Sequence, residues 1–184
     1  SKKAEYALRA VINIAMAAAQ GRASVPGAEL AESNRLPLKY VERILQELRG
    51  AKLIETHRGK FGGYALARPA EEIRMGDIVR QVDGRLAPIA CASEGAYQRC
   101  TCPDEVHCGL RMLMIDVRNA IAAILDRYTL AQVVEVTLRK YQRDGIKPPF
   151  SASTKDQADD RKAGKAIRRA DPADGFLSLL KQDH

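Results

Sequence analysis

All four cysteines of this 184-residue chain fall between Cys91 and Cys108, spaced C-x8-C-x-C-x5-C. Thiols gathered so closely offer three kinds of chemistry. Soft thiolates hold iron–sulfur clusters, neighbouring thiols form reversible disulfides, and thiolates bind structural zinc. Zinc sites usually offer C-x2-C knuckles in pairs, and this segment has none. Cys100 and Cys102, one residue apart, are the pair placed for thiol–disulfide exchange. Gly95, Pro103 and Gly109 allow the segment to wrap a cluster and leave backbone N–H groups for its sulfurs. The residue pattern alone leaves all three readings open, the cluster ahead of the thiol pair and zinc.

The compartment bears on that choice. The opening stretch SKKAEYALRAVINIAMAAAQG imitates a secretion signal, with a basic start, an apolar middle and a run of alanines. Glu5 and Arg9 interrupt the approach, and Leu8, Ile12, Ala15 and Ala19 share one helical face. The segment therefore reads as a buried amphipathic helix over 4–19. No apolar run reaches the roughly 18 residues needed to cross a bilayer. The expectation is a cytoplasmic protein, with no membrane partner, whose cysteines are reduced, metal-bound or redox-active.

Around the cysteines the chain supplies a set of short elements. AELAESNRL predicts a brief helix, and Asn34-Arg35-Leu36-Pro37 a turn. In LKYVERILQELRG, Val41, Ile44, Leu45 and Leu48 take the i, i+3, i+4, i+7 positions of a buried stripe. Lys39, Tyr40, Glu42 and Arg43 are left outward near the helix start. Two short helices about a tight turn form the helix-turn-helix pattern, whose second helix reaches base edges in the major groove. LIETH and YALA then read as a hairpin closed by RGKFGG, a wing with Arg58, Gly59 and Lys60 at its tip and Tyr64 on its return strand. An Arg on such a tip suits the narrow, negative minor groove.

Charge agrees with this reading. The chain carries a net +7, and residues 35–68 hold eight Lys or Arg against three Glu. Such a focused basic patch is the footprint of a phosphate-backbone binder. Against enzyme function, the sequence has no P-loop, no G-x-G-x-x-G and no recognisable acid–base pair, and its three histidines are scattered at 57, 107 and 184.

RMGDIVRQVDG predicts another helix. After the cysteines, Leu110, Leu113, Val117, Ile121, Ile124 and Tyr128 make one apolar stripe about five turns long. A small winged-helix domain has nothing large enough to cover it, so a second copy is the expected cover. A homodimer also supplies the two-fold symmetry that a palindromic operator on double-stranded DNA demands. The expected fold class is mainly α with a small β-hairpin wing. Its parts are a winged helix-turn-helix domain over 1–84, a cysteine-rich loop over 85–109, a dimerisation helix and last helix over 110–144, and a disordered tail over 145–184.

LPLKYVERILQELRGAKLI, then THRGKFGGYALARPAEEI, then the cysteine loop and the long helix give the chain, over about residues 1–140, the order of the Rrf2 family of bacterial winged-helix regulators, which it resembles. The resemblance implies a dimeric transcription factor whose affinity for DNA depends on an iron–sulfur cluster, a 2Fe-2S centre ahead of a 4Fe-4S one. It matches Cys91, Cys102 and Cys108 to the family's three cysteine ligands, with Cys100 extra, as a substitute ligand or a redox partner. In the IscR type, a His three residues after the last Cys completes the site; here that position is Arg111. In the NsrR type, a carboxylate from the first helix of the other subunit does so, and Glu5 falls there. A zinc or thiol–disulfide sensor on the same scaffold is the alternative.

Overall fold

Alanine dominates the first helix, α1 (Lys2–Ala19), and sets how closely its neighbours approach. In the computed structural model, which describes residues 1–59, 62–84, 86–151 and 175, α1 runs through the centre of the core. Ala4, Ala7, Val11 and Ile14 are buried along it, with Ala10, Ala15, Met16 and Ala17. This corrects the expected face. Leu8 and Ile12 are only half-buried and Ala19 is exposed, because the closest packing forms over the small alanines rather than the larger residues.

Two short helices pack on α1. In α2 (Gly27–Asn34), Leu30 and Ala31 are buried; in α3 (Leu38–Gly50), Val41, Ile44, Leu45 and Leu48 form the stripe that their spacing predicts. The turn between them takes Arg35 into the left-handed region at φ 54°, where the Leu36 N–H donates to Ala31 O at 3.0 Å. Asn34 holds this turn from beneath. Its buried side chain donates to Leu30 O at 2.7 Å and accepts from Arg9 Nε at 3.1 Å.

β1 (Ile54–His57) and β2 (Gly63–Leu66) form an antiparallel hairpin, with Ile54 opposite Leu66 and His57 opposite Gly63. The residue before Pro26 adds a rung. Val25 and Tyr64 exchange both backbone hydrogen bonds, at 2.9 and 2.8 Å. The rung explains Gly63: a Cβ there would stand 2.5 Å from the Val25 carbonyl.

Ile78 and Val82 of α4 (Met75–Asp83) close the core on another side, with Val79 half-buried. After the cysteine segment come α5 (Gly109–Arg127) and α6 (Leu130–Arg143). α6 starts with a capping box between Thr129 and Gln132 and returns to the same core, where Leu130 and Val134 lie. The Leu130 N–H donates to Ile73 O at 2.8 Å. α6 thus packs on the same core as α1.

The chain also stays in the core beyond the expected start of its tail. Phe150 is 2% exposed, under the Arg22 guanidinium at 5.8 Å from its ring centre, and Gln20 Nε2 donates to Pro149 O at 2.9 Å. One aromatic ring in a polar stretch is enough to bring 145–151 back. The remaining tail positions, 152–174 and 176–184, lie outside the described residues. Among the described residues, no helix is long and apolar enough to cross a membrane.

Candidate functional site

Two regions carry chemistry. The first is the start of α3 with the hairpin. Lys39, Glu42 and Arg43 are exposed. Tyr40 is half-buried, its ring edge-on to Tyr6 at 5.8 Å between centres, and Arg9 lies over that Tyr6 ring. One face of Tyr40 is therefore used to seat α3 on α1. Arg58 and Gly59 are exposed at the hairpin tip, where Gly59 has φ 109° and its carbonyl accepts from the Gly62 N–H at 2.9 Å. Lys60 lies outside the described residues. Tyr64 is half-buried, and its ring fills the space that a Cβ on Gly27 would meet at 3.3 Å. Tyr64 thereby joins the hairpin to the beginning of α2 by both backbone and ring.

The second region is the cysteine segment. Cys91 is buried in a single 3₁₀ turn, Ala90–Ala92. Cys108 is half-buried at the residue before α5. Between them, Cys100 and Cys102 form a disulfide with Cα atoms 5.3 Å apart. Among the described residues, no group of three or more His, Cys, Asp or Glu side chains is placed to hold a metal ion. The donor types suit an iron–sulfur centre; in this structure Cys102 is bonded to Cys100 and Cys91 is buried, and Cys91, Cys102 and Cys108 are not gathered about one point. Glu5 is exposed in the first turn of α1 and is held by Lys2 at 2.9 Å and Arg9 at 3.6 Å. The hydrogen bond from Lys2 keeps its carboxyl below the usual carboxylate range.

Side chains that the spacing argument did not single out organise this segment. Arg111 Nε donates to Cys91 O at 3.0 Å and faces the Glu105 carboxylate at 3.2 Å. Arg118 Nη1 donates to Ala92 O at 2.9 Å. The two arginines are seven residues apart, two turns on one helix face, and that spacing is the signal that could have found them. Glu105 accepts from the Tyr97 hydroxyl at 3.0 Å and from the Cys100 N–H at 3.3 Å. The Tyr97 hydroxyl is held above its ordinary pKa, chiefly by that hydrogen bond. Asp104 takes the His107 ring at 2.7 Å, which lowers its pKa.

α5 ties the cysteine segment to α4. None of its residues is buried, and Leu110, Leu113 and Ile124 are each more than half exposed. It meets α4 through Arg80, whose guanidinium grips Asp126 with two bonds, at 2.7 and 2.5 Å. Gly76 makes the room, since a Cβ there would overlap the Asp126 carboxylate.

A helix pair on a small alanine-rich core, a hairpin pinned to its entrance and a long uncovered helix define a winged helix-turn-helix protein. The chain matches the Rrf2 family, described as iron-dependent transcriptional regulators, over residues 1–136, and it belongs to that family. It is 33% identical over 139 residues to an rrf2-like HTH-type transcriptional regulator of Rhodobacter capsulatus, covering 73% of this chain and 91% of that one. Its fold is similar to CymR, the global cysteine regulator of B. subtilis, with TM-score 0.57 and 29% identity over 73% of this chain and 95% of that one. It is also similar to IscR of T. potens, with TM-score 0.58 and 26% identity over 82% and 93%.

Proposed function

We propose that this chain is the protomer of a homodimeric regulator that grips a two-fold-symmetric operator and whose cysteine loop sets the strength of that grip. The observation that carries the reading is the double role of α5. Its apolar side chains Leu110, Leu113 and Ile124 stand in solvent, while Arg111 and Arg118 of the same helix hold the backbone of Cys91 and Ala92. Covering those side chains with a second copy removes apolar surface from water at about 25 cal/mol per Å². It also makes the spacing of the two heads depend on a helix tied to the cysteines.

On DNA, Lys39, Tyr40, Glu42 and Arg43 at the start of α3 face the major groove. Arg58, Gly59, Lys60 and Tyr64 bring the hairpin to the phosphates and minor groove. The affinity of such an interface falls with salt at a log–log slope of about −0.9 for each phosphate neutralised. A slope near zero in a titration would remove the DNA interface from the proposal.

For the sensing chemistry, the Cys100–Cys102 pair supports a thiol–disulfide switch. A second reading, an iron–sulfur centre, is supported by the family's iron-dependent description and by the soft donor types. It would draw on Cys91, Cys102 and Cys108, with Glu5 of the partner subunit. Anaerobic purification separates them. A coloured protein with matching iron and sulfide counts establishes the cluster. A colourless, iron-free protein with four titratable thiols leaves the switch standing, and bound zinc sinks both.

A further inference from the structure

We infer that Cys100 and Cys102 form an exchange site for a carboxylate-bearing low-molecular-weight disulfide, and that Glu105 passes the state of this pair to α5. The inference rests on the thiol reading above and gives it a substrate class. Cys102 is exposed, Cys100 and Cys108 partly so, and Cys91 buried, so a solute disulfide meets Cys102 first, with Cys100 bonded beside it.

The residues flanking the pair in the chain, Arg99 and Pro103, line an open cavity of about 480 Å³ together with Tyr97, Asp104, Glu105 and Arg111. Its carboxylates are already engaged, Asp104 by His107 and Glu105 by Arg111. Among the described residues, Arg99 has no hydrogen-bond or ion-pair partner. The uncommitted charge at the cavity is thus cationic, and it suits the carboxylate of an amino-acid or peptide disulfide.

In the exchange, the Cys102 sulfur attacks one sulfur of the solute disulfide. That S–S bond breaks, and the first solute thiol leaves with the proton Cys102 gives up. The Cys100 sulfur then attacks the Cys102 sulfur of the mixed disulfide, and the second solute thiol leaves with the Cys100 proton. Two protein thiols are oxidised and one solute disulfide is reduced to two thiols.

When the pair is closed, the Cys102 N–H points at the Cys100 sulfur at 3.3 Å and the Cys100 N–H at Glu105 Oε2 at 3.3 Å. Glu105 holds Arg111, and Arg111 holds Cys91 O. Opening the pair frees the turn that presents the Cys100 N–H, so the position of Arg111 on α5 answers to the state of the sulfurs. Glu105 is a positioning residue in this chain of contacts.

The test uses the full chain, reduced anaerobically and titrated with oxidised glutathione. Intact mass and peptide mapping follow the thiols, and anisotropy follows affinity for a duplex the protein selects from a random pool. The expected product has lost two hydrogens, with the new bond mapped to Cys100–Cys102. Cys100→Ser should stop at a glutathione adduct on Cys102. DNA affinity should differ about tenfold between the two forms. Glu105→Gln should still form the Cys100–Cys102 bond while that difference shrinks below about twofold. An unchanged thiol count, or a bond mapped to Cys91 or Cys108, overturns the exchange site. Equal DNA affinities in the two forms, or full coupling in Glu105→Gln, overturn the role of Glu105. If neither form binds DNA, the regulator proposal fails, and the mapped bond still decides the exchange site.

Discussion

The head of this protein and its cysteine-bearing arm are built on opposite terms. In the head, α1, α2, α3, α4 and α6 enclose side chains such as Leu30, Leu45, Leu48 and Ile78 with no measurable exposure. The segment from Glu94 to Arg127 is held by polar bonds from Arg80, Arg111 and Arg118 and by Leu125 against the core, and α5 buries none of its residues. The head carries its own core and so keeps one shape. The arm has a helix that leaves Leu110, Leu113 and Ile124 in water and a loop held by a few hydrogen bonds, so less of the chain's own packing fixes how it sits. Low local stability of this kind is where switching elements are found.

The contrast can be broken most directly in the head. Leu45→Ala should cost about 3 kcal/mol in chemical denaturation, since a fully enclosed leucine leaves a cavity. Leu113→Ala should leave the unfolding of the monomer nearly unchanged. Gly63→Val should follow, at about 2 kcal/mol, because its side chain meets the Val25 backbone and no rotamer avoids it. It should also detach the hairpin and weaken DNA binding in the same titration.

The arm responds differently. Leu113→Asp should raise the dimer dissociation constant by at least about tenfold, or 1.4 kcal/mol, in sedimentation equilibrium, while the circular dichroism of the head is kept. An unaltered dimer would place the interface away from α5. On the head's surface, Arg43→Ala should lower the magnitude of the salt slope of DNA binding by about 0.9 if the side chain meets a phosphate. An unchanged slope with altered sequence preference would assign it to a base instead.

The smallest effect lies at the joint. Arg80 holds the Asp126 carboxyl below its ordinary value, so the ionised carboxylate favours the folded form. That contribution is complete above the ordinary value of 3.8 and disappears as the pH falls through the lowered folded value. Both groups are about two-fifths exposed, and screening keeps the whole effect under about 1 kcal/mol. Asp126→Asn should therefore lower stability slightly at neutral pH and flatten the loss below about pH 4, read by denaturation across the acid range.

The parts legible in the sequence are those with a short period or a special backbone. The stripe of α3, the turn at Asn34–Arg35 and the glycine-closed hairpin follow from neighbours within one or two turns; of the stripe expected on α5, Leu110, Leu113 and Ile124 stand uncovered, while Val117, Ile121 and Tyr128 are half-buried. The inward face of α1 was misread because a hydropathy pattern weighs Leu8 and Ile12 above alanine, while close approach of several helices selects the alanines. Phe150 looked like part of a polar tail because nothing local announces the cavity between Arg22 and α1 that it fills.

At the candidate site the same division holds. Residue types alone determined that a thiol loop stands before a long apolar helix, behind a basic helix pair and hairpin, because composition and periodicity are properties of adjacent residues. Only the tertiary structure decided that Cys91 is enclosed, that Val25 locks the hairpin and that Glu105 and Arg111 join the cysteine loop to α5. Those outcomes depend on which distant groups meet, and a directional bond or a close packing contact is fixed only once the whole chain has closed around it.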